Sequence, residues 1–249
     1  RIAEQYAIIP ADEIKRMAPQ TSADMLANVD GVKIQKTQAG GGSPVLRGME
    51  ANRILLVVDG VRMNNAIYRT GHLQSSITVS PNIIERTEVV FGPSSVIYGS
   101  DALGGVIHYF TRTPRVCEEN AVNTSVFSRY SSVNNEFTNE ANIEIRRKKW
   151  ASYTSVSHSK FGETMMGKNS QHNFEDWGNV PYYSNNTNSY YKPDQVVNSD
   201  QNLQKNTDYS QTDILNKIAI PLSKKADLIL NFQYSTSSDI DNFDDLTEY

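Results

Sequence analysis

Residues 84–111, IERTEVVFGPSSVIYGSDALGGVIHYFT, constrain the fold more than any other stretch, because they prescribe an order of elements that few folds use. Val89, Val90 and Phe91 form an apolar strand, Gly92-Pro93 breaks it, and Ser94 caps a helical turn through Val96, Ile97 and Tyr98 that Gly99 stops. Gly104-Gly105 then permits close backbone approach, and Val106 to Phe110 returns to an extended run. The order is strand, turn, short helix, glycine pair, strand.

The residues before this segment read as the rest of a small mixed domain. Thr21 followed by Asp24 predicts a capping-box start to a helix with Met25, Leu26 and Val29 on one face and Gly31 at its end. Val32 to Lys36 reads as a strand. AGGGSPVLRG, residues 39–48, reads as an irregular loop; it lacks the Gly-Lys-Ser/Thr ending and following helix of a phosphate cradle. Ile54 to Val58 is an uninterrupted apolar run, the pattern of a strand buried on both faces, and Asp59-Gly60 turns the chain back. These elements define an α+β domain over residues 1–115.

From Ala121 the pattern changes to strands of period two. Phe137, Ala141, Ile143 and Ile145 alternate with Thr138, Glu140, Asn142, Glu144 and Arg146. Trp150 to Phe161 forms the next strand, a polar loop follows over 162–208, and Ile214, Ile218 and Ile220 mark another. Ala226, Leu228, Leu230, Phe232 and Tyr234 alternate with Asp227, Ile229, Asn231, Gln233 and Ser235 in a fifth. Short turns at Lys148-Lys149 and Lys224 lie on one side and the long loop on the other, an asymmetry of outer-membrane barrels. A soluble β-sandwich is the alternative reading of the alternation alone.

Composition excludes several classes. Hydrophobic residues make up 38% of the chain, mean hydropathy is -0.51, and no run of 18 apolar residues exists, so a helical membrane span is excluded while a strand barrel is not. The net charge of -4 comes without an extended basic tract interleaved with aromatics, which argues against nucleic acid. Cys117 has no intrachain partner, and no Cys/His metal spacing is present. His108, His158 and His172 share no ligand spacing. No nucleophile elbow, metal triad or phosphate loop marks an enzyme. The segment starting at Arg1 has no secretory signal and reads as a mature or truncated piece.

The 84–111 segment, Arg47-Gly48 and RILLVVDGVRMNN at 53–65 together resemble the plug domain of TonB-dependent outer-membrane receptors, over roughly residues 5–113. The resemblance implies an α+β plug followed by antiparallel strands of a truncated transmembrane β-barrel of about 22 strands, with residues 116–249 as the first strands of its wall. Alone, such strands would leave an unpaired edge and an apolar face, so the segment is not expected to be a stable functional unit. It further implies location in the bacterial outer membrane, lipid contact, and coupling to TonB with its inner-membrane energising complex through a TonB box upstream of Arg1. Glu85 and Glu88 stand where the family's plug carboxylates meet wall arginines, here expected in strands beyond the chain, and Arg47 is a further plug–barrel contact candidate. Phe91 departs from the arginine usual before Gly-Pro.

Residues 66–81, AIYRTGHLQSSITVSP, are similar to the plug loop of haem and haemoprotein receptors. That likeness implies His72 as a haem-iron ligand, with Tyr68 stacking or ligating. In the long loop, Tyr182, Tyr183, Tyr190 and Tyr191 among asparagines offer adaptable recognition surface, or else simply a solvated loop. Asp239, Asp241, Asp244 and Asp245 offer oxygen ligands for calcium without EF-hand spacing. The function implied is TonB-energised uptake of a scarce ligand, haem or haemoprotein-derived iron first and a ferric siderophore or cobalamin-like compound second. Capture without translocation is the reading from another class. No cofactor is required, haem entering only as cargo.

Overall fold

The computed structural model describes residues 5–36, 40–50, 53–63, 79–92, 98, 102–167, 178–184 and 195–240. The N-terminal unit contains β1 (Gln5–Pro10), α1 (Ala11–Met17), α2 (Ser22–Leu26), β2 (Val32–Gln35), β3 (Ser43–Leu46), β4 (Ile54–Val58), β5 (Val61–Arg62), β6 (Ile84–Phe91) and β7 (Gly105–Thr111). Its main sheet has the order β1-β6-β7-β4-β5, and only the β4–β7 pair in it is parallel. The apolar run of β4 explains why it sits inside. Ile54, Leu56 and Val58 pack into a core with Ile14, Met25, Leu26 and Ile107, while Leu55 and Val57 meet Val106 and Ala102 on the other face. Each such side chain contributes about 1.5–3 kcal/mol by leaving water.

Local chemistry sets the boundaries. Thr21 caps α2: the Asp24 amide donates to its Oγ1 at 3.1 Å, and its own amide donates to the Asp24 carboxylate at 3.2 Å. The helix stops at Leu26, short of the Gly31 end expected, because tight turns at Val29 and Val32 take over; Val29 still reaches the core. Pro10 precedes α1, which was not foreseen, and Ala18 ends it at φ 44. The 39–48 segment is not wholly irregular. Residues 43–46 form β3 paired with β2, a two-stranded ribbon in which an edge proline, Pro44, is tolerated. The strand expected at 89–91 begins at Ile84. The helical turn expected at 94–98 lies outside the described residues except for Tyr98.

Gly105 has φ 151, and a Cβ there would stand 2.4 Å from the Val90 carbonyl oxygen. The close approach of β6 to β7 therefore requires glycine. At the other end of β4, Asp59 and Gly60 have φ 50 and 85, the twin positive values of a two-residue hairpin that pairs Val58 with Val61.

The C-terminal part contains β8 (Ala121–Ser131), β9 (Glu136–Arg146), β10 (Ala151–Phe161), β11 (Thr164–Met165), β12 (Tyr182–Ser184), β13 (Gln195–Val197), β14 (Leu203–Gln204), β15 (Tyr209–Ser223) and β16 (Ala226–Ser237). The long strands make one antiparallel sheet, β16-β15-β10-β9-β8. Burial alternates along β9, β10 and most of β15, and its sign is inverted at many positions relative to a soluble sheet. Glu136, Thr138, Glu140 and Glu144 of β9 are buried against the N-terminal unit, whereas Phe137 is 49% exposed. On β10, Ser155 and Ser157 are buried and Val156 is exposed. A soluble β-sandwich would bury the opposite face. Among the described residues the sheet is open, with β8 and β16 at its edges, as expected of a truncated wall. The 162–208 loop rises as two short ladders, β11 with β14 and β12 with β13. The buried Asn198 amide holds it, donating to the Val180 and Leu203 carbonyls at 2.9 and 2.8 Å.

Candidate functional site

The inward face of the wall meets the N-terminal unit along a seam, where Tyr153 and Leu215 join its apolar core and two polar anchors hold it. The first grows from the Asp59-Gly60 turn. Asp59 accepts the Thr111 amide at 2.9 Å and the Thr111 hydroxyl at 2.7 Å, which fixes its carboxylate at the end of the sheet. Lys217 projects from the inward face of β15, its side chain 2% exposed, and its Nζ lies 2.9 Å from Asp59 Oδ2. The same ammonium donates to the Thr111 carbonyl at 2.9 Å and to Thr113 Oγ1 at 3.2 Å, so its three protons meet three acceptors. Asn231 of β16 donates to Asp59 at 2.9 Å. A buried ammonium is tolerated only with such partners, and removing one leaves an uncompensated charge. Alongside, Arg112 pairs with Glu144 of β9 at 2.9 Å and lies over the Tyr153 ring.

The second anchor lies toward the long-loop end. Arg129 of β8 donates to the Ala18 and Pro19 carbonyls at 3.0 and 2.8 Å, groups that the end of α1 leaves without helical partners. Its Nε also donates to Glu136 at 2.9 Å, so wall and plug-side acceptors share one guanidinium. Gln20 and Asn134 exchange amide bonds at 3.2 and 3.1 Å. Asn134 and Val133 in turn accept the Gly162 and Met165 amides at the root of the long loop. Between Gln20, Ser80, Arg129 and Asp213 lies a cavity of about 20 Å³, room for about one water.

His108 sits beneath the first anchor. Its Nε2 accepts the Gly60 amide at 3.0 Å, and its ring stacks on Phe110. Accepting at Nε2 assigns the neutral ring's proton to Nδ1, which has no partner among the described residues. Burial pushes its pKa below the ordinary histidine value; Glu88 and Asp59 pull it back up, and Arg86 adds to the lowering.

The residues singled out from sequence fall elsewhere. Glu88 pairs with Arg86 of its own strand at 2.7 Å, and Glu85 is exposed. The Arg47 guanidinium bonds Gln5 and lies 4.9 Å from the Phe91 ring centroid, so the departure at Phe91 supplies a local cation–π partner. Among the described residues no hydrogen bond or ion pair joins these three to the wall. Tyr182 is 40% exposed on β12, and Tyr183 beside it is half-buried. Tyr68, His72, Tyr190, Tyr191, Asp241, Asp244 and Asp245 lie outside the described residues; Asp239 is exposed after β16. No group of three or more metal-binding side chains occurs among the described residues. Sequence reasoning missed Asp59, Lys217, Arg129 and the Gln20–Asn134 pair. The one available signal was a lysine at an inward position of a strand, within ILNKIAI.

The family described as TonB-dependent Receptor Plug Domain matches residues 1–106. A hemin receptor of Yersinia enterocolitica is 38% identical over 105 residues, which cover 42% of this chain and 15% of the relative. The vitamin B12 transporter BtuB of Vibrio vulnificus is 34% identical over 117 residues, covering 46% and 19%. The chain thus spans under a fifth of the length of these curated relatives. Among solved structures, the copper transporter OprC superposes with a TM-score of 0.68 at 17% identity, covering 93% of this chain and 30% of that one. The siderophore receptor PirA from Acinetobacter baumannii gives 0.63 at 16%, covering 95% and 32%. Residues 1–106 are thus similar to the plug domain family of TonB-dependent receptors, and the chain shares the fold of a plug seated against the first strands of a receptor barrel.

Proposed function

We propose that this chain is the gate and the opening part of the wall of an outer-membrane receptor that imports a scarce ligand with energy relayed by TonB. The observation that carries the reading is the inverted wall: its outward apolar side chains are bare while its inward, largely hydrogen-bonding face grips a folded plug. A barrel wide enough for a large solute leaks unless something obstructs it, and a folded plug held largely through polar groups is such an obstruction. An enzymatic role has no support in the residues, and the relatives are named as receptors and transporters.

Haem, free or from a haemoprotein, is the first ligand proposed, with His72 as an iron ligand and Tyr68 beside it. Its support is the 66–81 loop and the likeness to a hemin receptor. A cobalamin-like compound or ferric siderophore is the second, supported by similarity over 117 residues to a vitamin B12 transporter. The exposed Tyr182 on the built outer loop is the proposed point of first capture.

The test uses the full-length receptor in detergent, titrated with hemin and followed by Soret absorbance beside His72→Ala. Saturable binding with a changed spectrum in the variant supports the haem reading. No saturation in the wild type overturns it and moves the titration to cyanocobalamin and ferric enterobactin. Cells lacking TonB that still take up ligand would overturn the energised-import reading; cells that bind but never internalise, with TonB present, would favour capture without translocation.

A further inference from the structure

Opposite the long loop, the short-turn end of the wall gathers cations from two neighbouring hairpins. Arg147, Lys148 and Lys149 close β9 to β10, and Lys224-Lys225 close β15 to β16. β10 pairs with β15 in a register that sets Ala151 opposite Ala219, so both turns emerge side by side, the second a few residues further out. Neighbouring strands lie about 4.8 Å apart, which brings the two sets of cations onto one surface.

The acids nearby do not neutralise this surface. Lys148 pairs with Glu118 at 2.7 Å, and both side chains are mostly exposed. Lys149, Lys224 and Lys225 are exposed and have no ion pair among the described residues. Arg147 is held locally, donating to the Arg146 carbonyl at 3.1 Å. The chain as a whole carries a net charge of -4, and the 162–208 loop holds twice as many acids as bases. The positive charge is therefore concentrated at one end of the strands.

Immediately inward of the cations the surface is apolar. Trp150 is 41% exposed, Leu222 66% and Leu228 41%, and they continue into the bare outward face of the sheet. A tryptophan and leucines below a row of flexible lysines is the layering that a membrane interface favours, with apolar bodies in the acyl region and ammonium groups at headgroup level. We propose that these two turns form a docking surface for the phosphate-bearing headgroups of anionic phospholipid in the leaflet on the short-turn side. The charge complementarity and the continuity with the apolar wall select a lipid surface over a soluble partner. This inference rests on the reading that the wall crosses a membrane.

The test compares the full-length receptor with Lys149→Gln/Lys224→Gln/Lys225→Gln in nanodiscs of phosphatidylcholine, with and without added phosphatidylglycerol. Native mass spectrometry reads the lipids that stay bound. The wild type should retain phosphatidylglycerol over phosphatidylcholine, less so at high salt, and the triple variant should lose that preference by about tenfold or more. An unchanged preference in the variant, or none in the wild type, overturns the lipid surface. So does inorganic phosphate that displaces the lipid at equal concentration, which would make it a free-anion site. Protease protection in phosphatidylcholine alone reports separately on insertion: a receptor that inserts but shows no preference defeats this inference only, whereas one that fails to insert defeats the membrane reading as well.

Discussion

Two five-stranded sheets in one chain bury different mixtures of side chains. In β1-β6-β7-β4-β5 the interior is aliphatic on both faces of β4, with Thr87, His108 and Thr111 as the buried polar residues of its strands. In β16-β15-β10-β9-β8 the buried positions include Glu136, Glu140, Ser155, Ser157, Asp213 and Lys217 beside Tyr153 and Leu215, and the exposed ones include Val126, Phe137 and Phe232. The backbone dictates only that neighbours face opposite ways. Which face turns inward depends on the medium outside: water selects an apolar interior, whereas lipid tolerates an apolar exterior and leaves the inner face free to carry hydrogen-bonding groups. The plug thus packs an aliphatic core that, among the described residues, the wall joins only through Tyr153 and Leu215, while hydrogen-bonding groups supply the rest of the grip.

Removing charge from the seam should give the largest effect. Lys217→Met strands Asp59 and should destabilise plug docking by about 3–5 kcal/mol; Lys217→Met with Asp59→Asn should recover much of that loss. Guanidinium unfolding of the full-length receptor in vesicles measures both, and equal losses for single and double variants would show that the pair is not coupled. Next comes Leu56→Ala, expected to cost about 2–5 kcal/mol by opening a cavity in the plug core, while Val126→Ala, at a position 80% exposed, should have far less effect.

An outward wall residue sharpens the contrast from the other side. Val156→Arg puts a charge on the apolar face and should cost about 2–4 kcal/mol near the membrane midplane, although the same change on a water-facing strand would be almost neutral. A smaller loss, about 1 kcal/mol, is expected for Gln20→Ala at the second anchor, where neutral amide bonds are replaced by water.

The smallest effect is one of pH. Unfolded, His108 takes up a proton near pH 6.5, while burial delays protonation in the fold to lower pH. The unfolded chain therefore binds more protons in that window, so this contribution to stability is full at neutral pH and is lost as pH falls below about 6.5 toward the folded value. His108→Asn should flatten that part of the stability profile, and a profile identical to wild type would remove His108 from the account.

Much of this architecture was legible because strong local patterns coincide with it. The unbroken run of Ile54 to Val58, the Asp59-Gly60 turn, the glycine pair at 104–105 and the alternation of β9 and β16 each have a single structural solution. β3 was hidden by Pro44 and its preceding glycines, and α1 by its seven-residue length. The seam was harder still. Asp59 looked like a turn residue and Lys217 like one more strand lysine; only the superposition of two sheets shows that they meet. The basic turns were equally inconspicuous, since RRKK and KK stand far apart in sequence and become one surface through the pairing of β10 with β15.

The inverted sheet itself is tested most directly by spin-label accessibility along β10 in the full-length receptor, reconstituted in vesicles with Cys117 replaced by serine. Labels placed singly from Ser152 to His158 are read for collision with oxygen, which partitions into lipid, and with a water-soluble nickel chelate. Oxygen accessibility should peak at 152, 154, 156 and 158 and dip at 153, 155 and 157. A profile without period two, or one with its peaks at the inward positions, would contradict a lipid-facing apolar wall.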